Sequence, residues 1–247
     1  MRISTVITAF AFMGACGGGA SAPRSDRGPG SAAVPATEPA ADDGPTGGST
    51  LLGPPPAGRA IATFAGGCFW CTESSFEHVR GVTEVVSGYT GGSERAPTYE
   101  QVSSGDTGHA ESIRVVYDPT VVTYEQLIDV LWRAHDPTTP DRSFFDRGHQ
   151  YRSAIFVHSP EQRAAAEASK RAVDASNRFP GPIVTEIVDA GPFWRAESYH
   201  QDYYRTHAGH YRAYREGSGR DAFITRIWGA GALSAAQRHD GTAAPSH

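Results

Sequence analysis

The chain has 247 residues, of which 39% are hydrophobic and 20% are charged, enough for one well-buried domain or two small ones. Its formal net charge is −5 and its lysines and arginines are not clustered, which excludes an electrostatic nucleic-acid binder. No run of 18 or more apolar residues occurs, which argues against a membrane-spanning helix.

The N-terminus has the layout of a secretory signal. One basic residue, Arg2, precedes an apolar run over residues 3–14 and a group of small residues. Residues 13–16, MGAC, resemble a bacterial lipobox with methionine in place of the more usual leucine. We therefore predict a signal peptide over residues 1–16, a lipidated Cys16, and an exported protein, periplasmic or anchored to the membrane of a bacterium. Ordinary cleavage just before Pro23 and a short buried helix are the alternatives.

Two segments have compositions typical of disorder. Residues 17–57 contain eight of the seventeen prolines and no aromatic residue, so they cannot bury enough apolar surface to offset the entropy of ordering. We predict a Pro/Gly/Ser-rich linker there, a folded domain over residues 58–217, and a C-terminal extension over residues 218–247. The extension is predicted to be largely disordered from about residue 229.

Within residues 58–217 the patterns become regular. Apolar runs and alternation predict strands at residues 59–65, 82–89, 111–117, 153–158 and 183–188. Helical spacing and N-terminal capping residues predict helices over residues 69–79, over 123–134, and from Ser159 to a point before Pro180. This order predicts an α+β fold, a two-layer sandwich of the ferredoxin-like (split βαβ) type with a mixed sheet.

The turn from the first strand to the first helix, GGCFWCTE, carries two of the three cysteines. At the start of a helix, unpaired N–H groups and the positive end of the dipole favour a thiolate, so Cys68 is predicted to be a nucleophile of lowered pKa. Cys71 lies one turn further on the same face, close enough for a disulfide. Two buried free cysteines, or half of a metal site, are the alternatives.

Phe69 and Trp70 separate the two cysteines. Thioredoxin-type CxxC motifs usually carry small or polar residues there, because they must dock the disulfides of other proteins. Two large rings beside a thiolate would instead hold a small apolar group, such as a methyl or thioether, to which aromatic edges are attracted. A general thiol-disulfide oxidoreductase stays possible from the CxxC motif, and one of the two rings could be a core residue.

Four segments in order, GGCFWCTES, SGYTGGSERAPTYEQVSSGDTGHAESIRVVYDP, DRGHQYRSAIF and GPFWRAESYHQDYY, resemble the signature segments of the A-type peptide methionine sulfoxide reductases. The resemblance covers residues 61 to about 212. It implies that Cys68 attacks the sulfoxide sulfur and that Glu111 is the general acid that protonates the oxygen. The other implied roles are a methyl pocket formed by Phe69 and Trp70, hydroxyls of Tyr89 and Tyr151 that bind the oxygen, and the ordering carboxylate Asp146.

The acid chemistry can also be argued from the residues. A sulfoxide oxygen is a poor leaving group until it is protonated, so the donor must keep its proton near neutral pH. An apolar pocket lined by Phe69 and Trp70 would raise the pKa of Glu111, because desolvation disfavours the carboxylate. A surface carboxylate at the start of a strand is the alternative for this residue.

The resemblance also implies how the enzyme is recycled. Many members have glycine where Cys71 stands and carry resolving cysteines in a C-terminal tail, whereas this chain has no cysteine after Cys71. Cys71 would then form a disulfide with Cys68, reduced by an external thioredoxin-like dithiol without a bound cofactor. We expect a monomer, no metal, and supporting roles for His109, Glu197 and His200. A metal site among the ten histidines is the alternative.

Overall fold

The computed structural model describes residues 49–229 and residue 231. The predicted signal peptide, the lipidation candidate Cys16 and most of the predicted linker lie outside the described residues, as does most of the tail after residue 229. Among the described residues, no helix combines the length and the apolar character needed to cross a membrane.

A seven-stranded sheet forms the centre of the domain, in the order β1-β9-β3-β4-β2-β7-β8. The strands are β1 (Thr50–Leu51), β2 (Ala60–Gly66), β3 (Val82–Thr90), β4 (Ala110–Tyr117), β7 (Ser153–Val157), β8 (Glu186–Asp189) and β9 (Trp194–Arg195). A separate hairpin pairs β5 (Arg142–Ser143) with β6 (Asp146–Arg147). Strands β7 and β8 are parallel and the other pairs are antiparallel. The prediction of an α+β fold with a mixed sheet is confirmed.

Seven helices and two 3₁₀ turns occur in the described part of the chain. They are α1 (Phe69–Phe76), α2 (Tyr99–Ser103), α3 (Tyr124–Trp132), α4 (Pro160–Ala175), α5 (Tyr203–Thr206), α6 (Ala208–Gly217) and α7 (Arg220–Trp228), with turns at His149–Tyr151 and Ser198–His200. Capping boxes at Thr98 and Thr123 begin α2 and α3, and the Ser159 hydroxyl caps α4, which satisfies N–H groups that the first helical turn leaves free.

Helices α1, α3 and α4 pack on the sheet and on one another. The core between these layers consists of fully buried aromatic and aliphatic side chains, among them Phe64, Phe76, Ile113, Leu127, Ile128, Leu131, Trp132 and Ile155. Each such side chain contributes about 1.5–3 kcal/mol through removal from water. The strand end that carries Cys68 is thus fixed to a rigid core.

The folded part extends beyond residues 58–217 at both ends. Strand β1, which lies within the predicted linker, pairs with β9, and the Ser49 hydroxyl donates to the Pro97 carbonyl at 2.8 Å. Backbone pairing of this kind needs no aromatic side chain, so composition does not reveal it. At the other end, α7 buries Arg220 and Ile224 completely, within the predicted C-terminal extension.

Two further boundaries differ from the predictions. Helix α1 ends at Phe76, after which the Val79 amide makes a turn to the Phe76 carbonyl. Strand β8 begins at Glu186 because the Val184 amide donates to the Pro137 carbonyl instead of to a strand. The narrower prediction, a ferredoxin-like sandwich, stays a prediction, since the sheet carries three strands beyond the central four.

Candidate active site

The turn between β2 and α1 positions the first cysteine. Gly67 has φ +83°, and a Cβ at this position would lie 2.2 Å from the Ser143 Cβ, so only glycine fits. Cys68 follows as the N-cap residue of α1 and is 5% exposed. The chain therefore delivers the Cys68 sulfur to the start of a helix, next to the surface.

The second cysteine lies under the first. Cys71 is 0% exposed and its sulfur is hydrogen-bonded to that of Cys68. Burial alone would raise the pKa of Cys71, but the bond from Cys68 and the charges of Arg220 and Arg215 lower it to about 6. Burial raises the pKa of Cys68 well above its usual range, and the charges of Cys71, Glu111 and Asp146 add to this effect.

The predicted lowering of the Cys68 pKa is therefore wrong for this resting state. The helix N-terminus favours a thiolate, but two sulfurs in contact cannot both carry a charge in a dry site. The charges of Arg220 and Arg215 lower the pKa of Cys71, so ionisation of the pair is favoured at Cys71 over Cys68.

Glu111 lies beside the cysteine pair. It stands opposite Tyr89 in the β3–β4 register, is 2% exposed, and accepts a hydrogen bond from the Phe69 amide at 3.0 Å. Burial raises the pKa of Glu111 well above its usual range, against the lowering effect of the Phe69 bond and with the help of the charges of Asp146 and Cys71. This is the direction expected of a proton donor.

The tyrosines divide differently from the expectation. Tyr89 is fully buried and donates its hydroxyl proton to Glu197 at 2.8 Å, so in this state it has no proton left for a substrate oxygen. Burial raises the pKa of the Tyr151 and Tyr99 phenols, and the charges of Glu111 and Cys68 raise it further. Within the described residues neither hydroxyl has a hydrogen-bond partner, which leaves both available to an incoming oxygen.

Tyr99 was not predicted from the sequence. The sequence does place Tyr99, because it is the first residue of α2 and follows the N-cap residue Thr98 of a capping box. Glu197 links it to Tyr89, since one carboxylate oxygen accepts from the Tyr99 amide at 2.9 Å and the other from the Tyr89 hydroxyl. Glu197 thus positions both tyrosines.

The aromatic residues of the motif have separate surroundings. Phe69 is 1% exposed and packs 5.0 Å from the His200 ring and 5.9 Å from the Tyr89 ring. Trp70 is half-buried, stacks on Tyr203 at 3.9 Å, and donates its indole N–H to His200 Nδ1 at 3.2 Å. Burial lowers the pKa of His200 to about 3, so this ring is a neutral acceptor that orients the indole.

The remaining predicted residues support the site from further away. Asp146 accepts a 2.5 Å bond from the Tyr214 hydroxyl, and burial raises its pKa. His109 is fully buried and holds the preceding loop, since its ring nitrogens bond the Gly92 amide and the Glu94 carbonyl. In the described part of the chain, no group of three or more His, Cys, Asp or Glu side chains could hold a metal.

Two buried arginines near the cysteines were also missed. Arg215 on α6 is 2% exposed and Arg220 on α7 is 0% exposed. Both lie more than 140 positions after Cys71 in the sequence, and an arginine on a polar helix ordinarily predicts a solvated surface. No local pattern could have connected them with the cysteines.

A buried thiol pair at the start of a helix, beside a carboxyl group whose pKa burial raises, is the site of a thiol-dependent oxidoreductase. Residues 60–232 match the family model described as peptide methionine sulfoxide reductase. The chain belongs to this family, and it is an oxidoreductase that acts on methionine sulfoxide.

Curated relatives and solved structures agree with this assignment. The peptide methionine sulfoxide reductase MsrA of Listeria monocytogenes serotype 4a is 53% identical over 167 residues, 68% of this chain and 94% of the relative. That of Bacillus subtilis is 49% identical over 172 residues, 70% of this chain and 97% of the relative.

Among solved structures, reduced Mxr1 from Saccharomyces cerevisiae aligns with a TM-score of 0.59 at 33% identity, over 64% of this chain and 91% of that chain. Methionine sulfoxide reductase A of Corynebacterium diphtheriae aligns with a TM-score of 0.56 at 35% identity, over 62% and 76%.

Proposed function

We propose that this enzyme reduces methionine-(S)-sulfoxide, free or within proteins, through a Cys68 sulfenic acid and a Cys68–Cys71 disulfide, and so repairs oxidatively damaged proteins. The observation that carries the proposal is the position of Glu111, a carboxyl group kept neutral by burial and bonded to the amide next to Cys68. Nucleophile and acid must share one site, because the oxygen leaves sulfur only when it is protonated. The preference for the (S) epimer follows from the resemblance to the A-type enzymes.

The first half-reaction begins with the proton that the two sulfurs share. Its transfer from Cys68 to the Cys71 thiolate produces a Cys68 thiolate, which attacks the sulfoxide sulfur while Glu111 protonates the oxygen. Tyr99 and Tyr151 hydrogen-bond that oxygen. The attack forms an S–S bond to the substrate sulfur; the protonated oxygen then moves from that sulfur to Cys68, so that both the S–O and the S–S bond to the substrate break. Methionine leaves, Cys68 becomes a sulfenic acid, and Glu111 is left ionised. The substrate sulfur gains two electrons and Cys68 loses two.

The second half-reaction returns the enzyme to its thiol form. The Cys71 sulfur attacks the Cys68 sulfenic acid, an S–S bond forms, and the oxygen leaves as water. An external dithiol then reduces the disulfide. A thioredoxin-like dithiol, acting without a bound cofactor, is the reductant that we propose here, as the resemblance to the A-type enzymes implies.

A stopped assay with the separated sulfoxide epimers of a blocked methionine tests the proposal, by following methionine released and thiols lost. Without reductant, Cys71→Ser should still release about one methionine per enzyme, but more slowly, because the Cys71 thiolate that accepts the Cys68 proton is absent, and Cys68→Ser should release none. The opposite epimer should react slowly or not at all. A general thiol-disulfide oxidoreductase would instead lose insulin reduction in both variants, and a Cys71→Ser variant that releases no methionine would contradict the proposal.

We further propose that the enzyme acts outside the cytoplasm as a monomer attached by a lipid on Cys16. The support is the apolar N-terminal run, the MGAC sequence and the linker composition. Metabolic labelling with radioactive palmitate in a bacterial host tests this, with Cys16→Ser as the matched control. Equal labelling of both proteins, or recovery of the unprocessed chain in the cytoplasm, would refute the proposal.

A further inference from the structure

Two buried guanidinium groups, those of Arg215 and Arg220, act electrostatically on Cys71. Arg215 donates to Asp221 from Nε at 2.8 Å and to the Tyr211 hydroxyl from Nη1 at 3.0 Å. Its charge is therefore paired with a carboxylate, and Tyr211 continues the contact to Ser74 of α1 at 2.6 Å. Arg215 thus has a structural partner that explains its burial.

Arg220 has no such partner. Nη1 donates to the Ala134 carbonyl at 2.7 Å, and the guanidinium lies 4.5 Å over the Phe144 ring. Within the described residues Nε and Nη2 have no hydrogen-bond partner. Against the larger effect of burial, the Arg220 charge lowers the pKa of Asp146, but that carboxylate is hydrogen-bonded to Tyr214 and makes no direct ion pair with the guanidinium. A fully buried cation without an anion is strongly unfavourable, so a negative charge is expected nearby.

The cysteine turn is what Arg220 faces. A Cβ on Gly67, the residue before Cys68, would lie 3.6 Å from Nη2. The charged forms of Cys71, Tyr214 and Cys68 all favour the Arg220 cation, and Cys71 has the largest favourable effect. Besides Asp146, whose charge Arg220 also stabilises, Cys71 is therefore the acidic group that this cation favours most in its charged form.

We infer that Arg220 is a positioning residue for recycling, which holds Cys71 as the thiolate that closes the disulfide and leaves when the disulfide is opened. Cys71, which took up the Cys68 proton in the first half-reaction, ionises again beside Arg220. Its thiolate sulfur bonds to the Cys68 sulfur, the S–O bond of the sulfenic acid breaks, and the departing hydroxide takes the proton that Cys71 released and becomes water. On reopening, the thiolate of the external dithiol bonds to Cys68 and the electron pair of the S–S bond returns to Cys71. A thiol of low pKa is the better leaving group. The resolving role of Cys71 itself rests on the proposed function.

Several other titratable groups surround Cys71. Those that face it or pack against it are Cys68, Asp146, Tyr203, Tyr204, Tyr211, Tyr214 and Arg215. Asp146 opposes ionisation of Cys71, and the charge of Arg215 is shared with Asp221. Arg220 is thus the cation whose removal should change Cys71 most.

A thiolate titration tests the inference without any sulfoxide. In the full-length Cys16→Ser, Cys68→Ser protein, Cys71 is the only cysteine, and ¹³C labelling of cysteine gives one NMR signal that moves as the thiol ionises. The midpoint should lie below about 8.5, the pKa of an ordinary cysteine. Adding Arg220→Met should raise it by at least about one pH unit, a tenfold change in ionisation, whereas Arg220→Lys should retain a low midpoint. Arg226→Met, on the exposed side of the same helix, should change nothing.

A kinetic measurement in the Cys16→Ser protein supplies the functional readout. One thiol is lost per methionine while the sulfenic acid persists, and two are lost once the disulfide has closed. Arg220→Met should slow closure at least tenfold at pH 7 and recover near pH 9, where Cys71 ionises unaided.

Two results would overturn the inference. The first is a titration midpoint of Cys71 at or above about 8.5 with Arg220 in place, a result that can be obtained even if Arg220→Met fails to fold. The second is a folded Arg220→Met protein in which the Cys71 midpoint has not moved. Failure of the Cys16→Ser protein to release methionine, together with the expected titration of Cys71, would instead count against the proposed function.

Discussion

Replacement of Glu111 by glutamine separates proton donation from every other role of this side chain. The amide oxygen of glutamine can still accept the bond that the Phe69 amide makes at 3.0 Å, and the side chain keeps its shape. What is lost is the proton, and Tyr99 and Tyr151 cannot replace it, because burial raises the pKa of both phenols further above neutrality. General acid catalysis contributes about 10²–10⁴-fold, so the rate of methionine release should fall by roughly 10³-fold.

Single-turnover release of methionine without reductant is the measurement, carried out across pH. In the parent enzyme the acid step should weaken as pH rises, because Glu111 must be protonated and loses its proton only above its raised pKa. Glu111→Gln should lack this high-pH decline. Glu125→Gln, in the exposed first turn of α3, is the matched control and should keep the parent rate. A Glu111→Gln enzyme within tenfold of the parent rate would refute the assignment of the acid.

Other predictions concern stability and the tyrosines. Burial raises the pKa of Glu73 from 4.5 to about 8, so the free energy of unfolding is highest below about pH 4.5 and falls as pH rises towards 8. Urea unfolding should therefore show Glu73→Gln to be more stable than the parent by a few kcal/mol near pH 8.5 and equal to it near pH 4. Tyr99→Phe removes one hydrogen bond to the oxygen and should slow methionine release about tenfold with unchanged unfolding; an unchanged rate would exclude the contact. Tyr89→Phe leaves one oxygen of Glu197 unpaired and should lower the free energy of unfolding by about 1–3 kcal/mol, with a smaller loss of rate than Tyr99→Phe.

Elements with strong local signals could be predicted from the sequence. The capping residues Thr123 and Ser159 fixed the starts of α3 and α4, and alternation located β4, because these signals act within a few residues. Strands β1 and β9 have two residues each, too few for any periodicity. They exist because their partners in the sheet are in place.

The site shows the same division. Cys68 and Glu111 stand in recognisable motifs, and the structure brings them together across the sheet. The charge state of the cysteine pair could not be predicted, because it depends on Arg220, which reaches the turn from a helix near the C-terminus. The hydroxyl of Tyr89 looked free because its partner, Glu197, lies 108 positions away.

The burial of Cys71 beneath Cys68 has a kinetic consequence. Of the two cysteines, only Cys68 is exposed at all, at 5% against 0% for Cys71, so sulfoxide and reductant must both react at Cys68 and cannot occupy the site at the same time. Such an enzyme follows a ping-pong rate law, in which an excess of the reducing dithiol acts as a competitive inhibitor towards the sulfoxide. When both substrates are abundant, the turnover rate then depends on the ratio of the reductant concentration to the sulfoxide concentration rather than on either concentration alone.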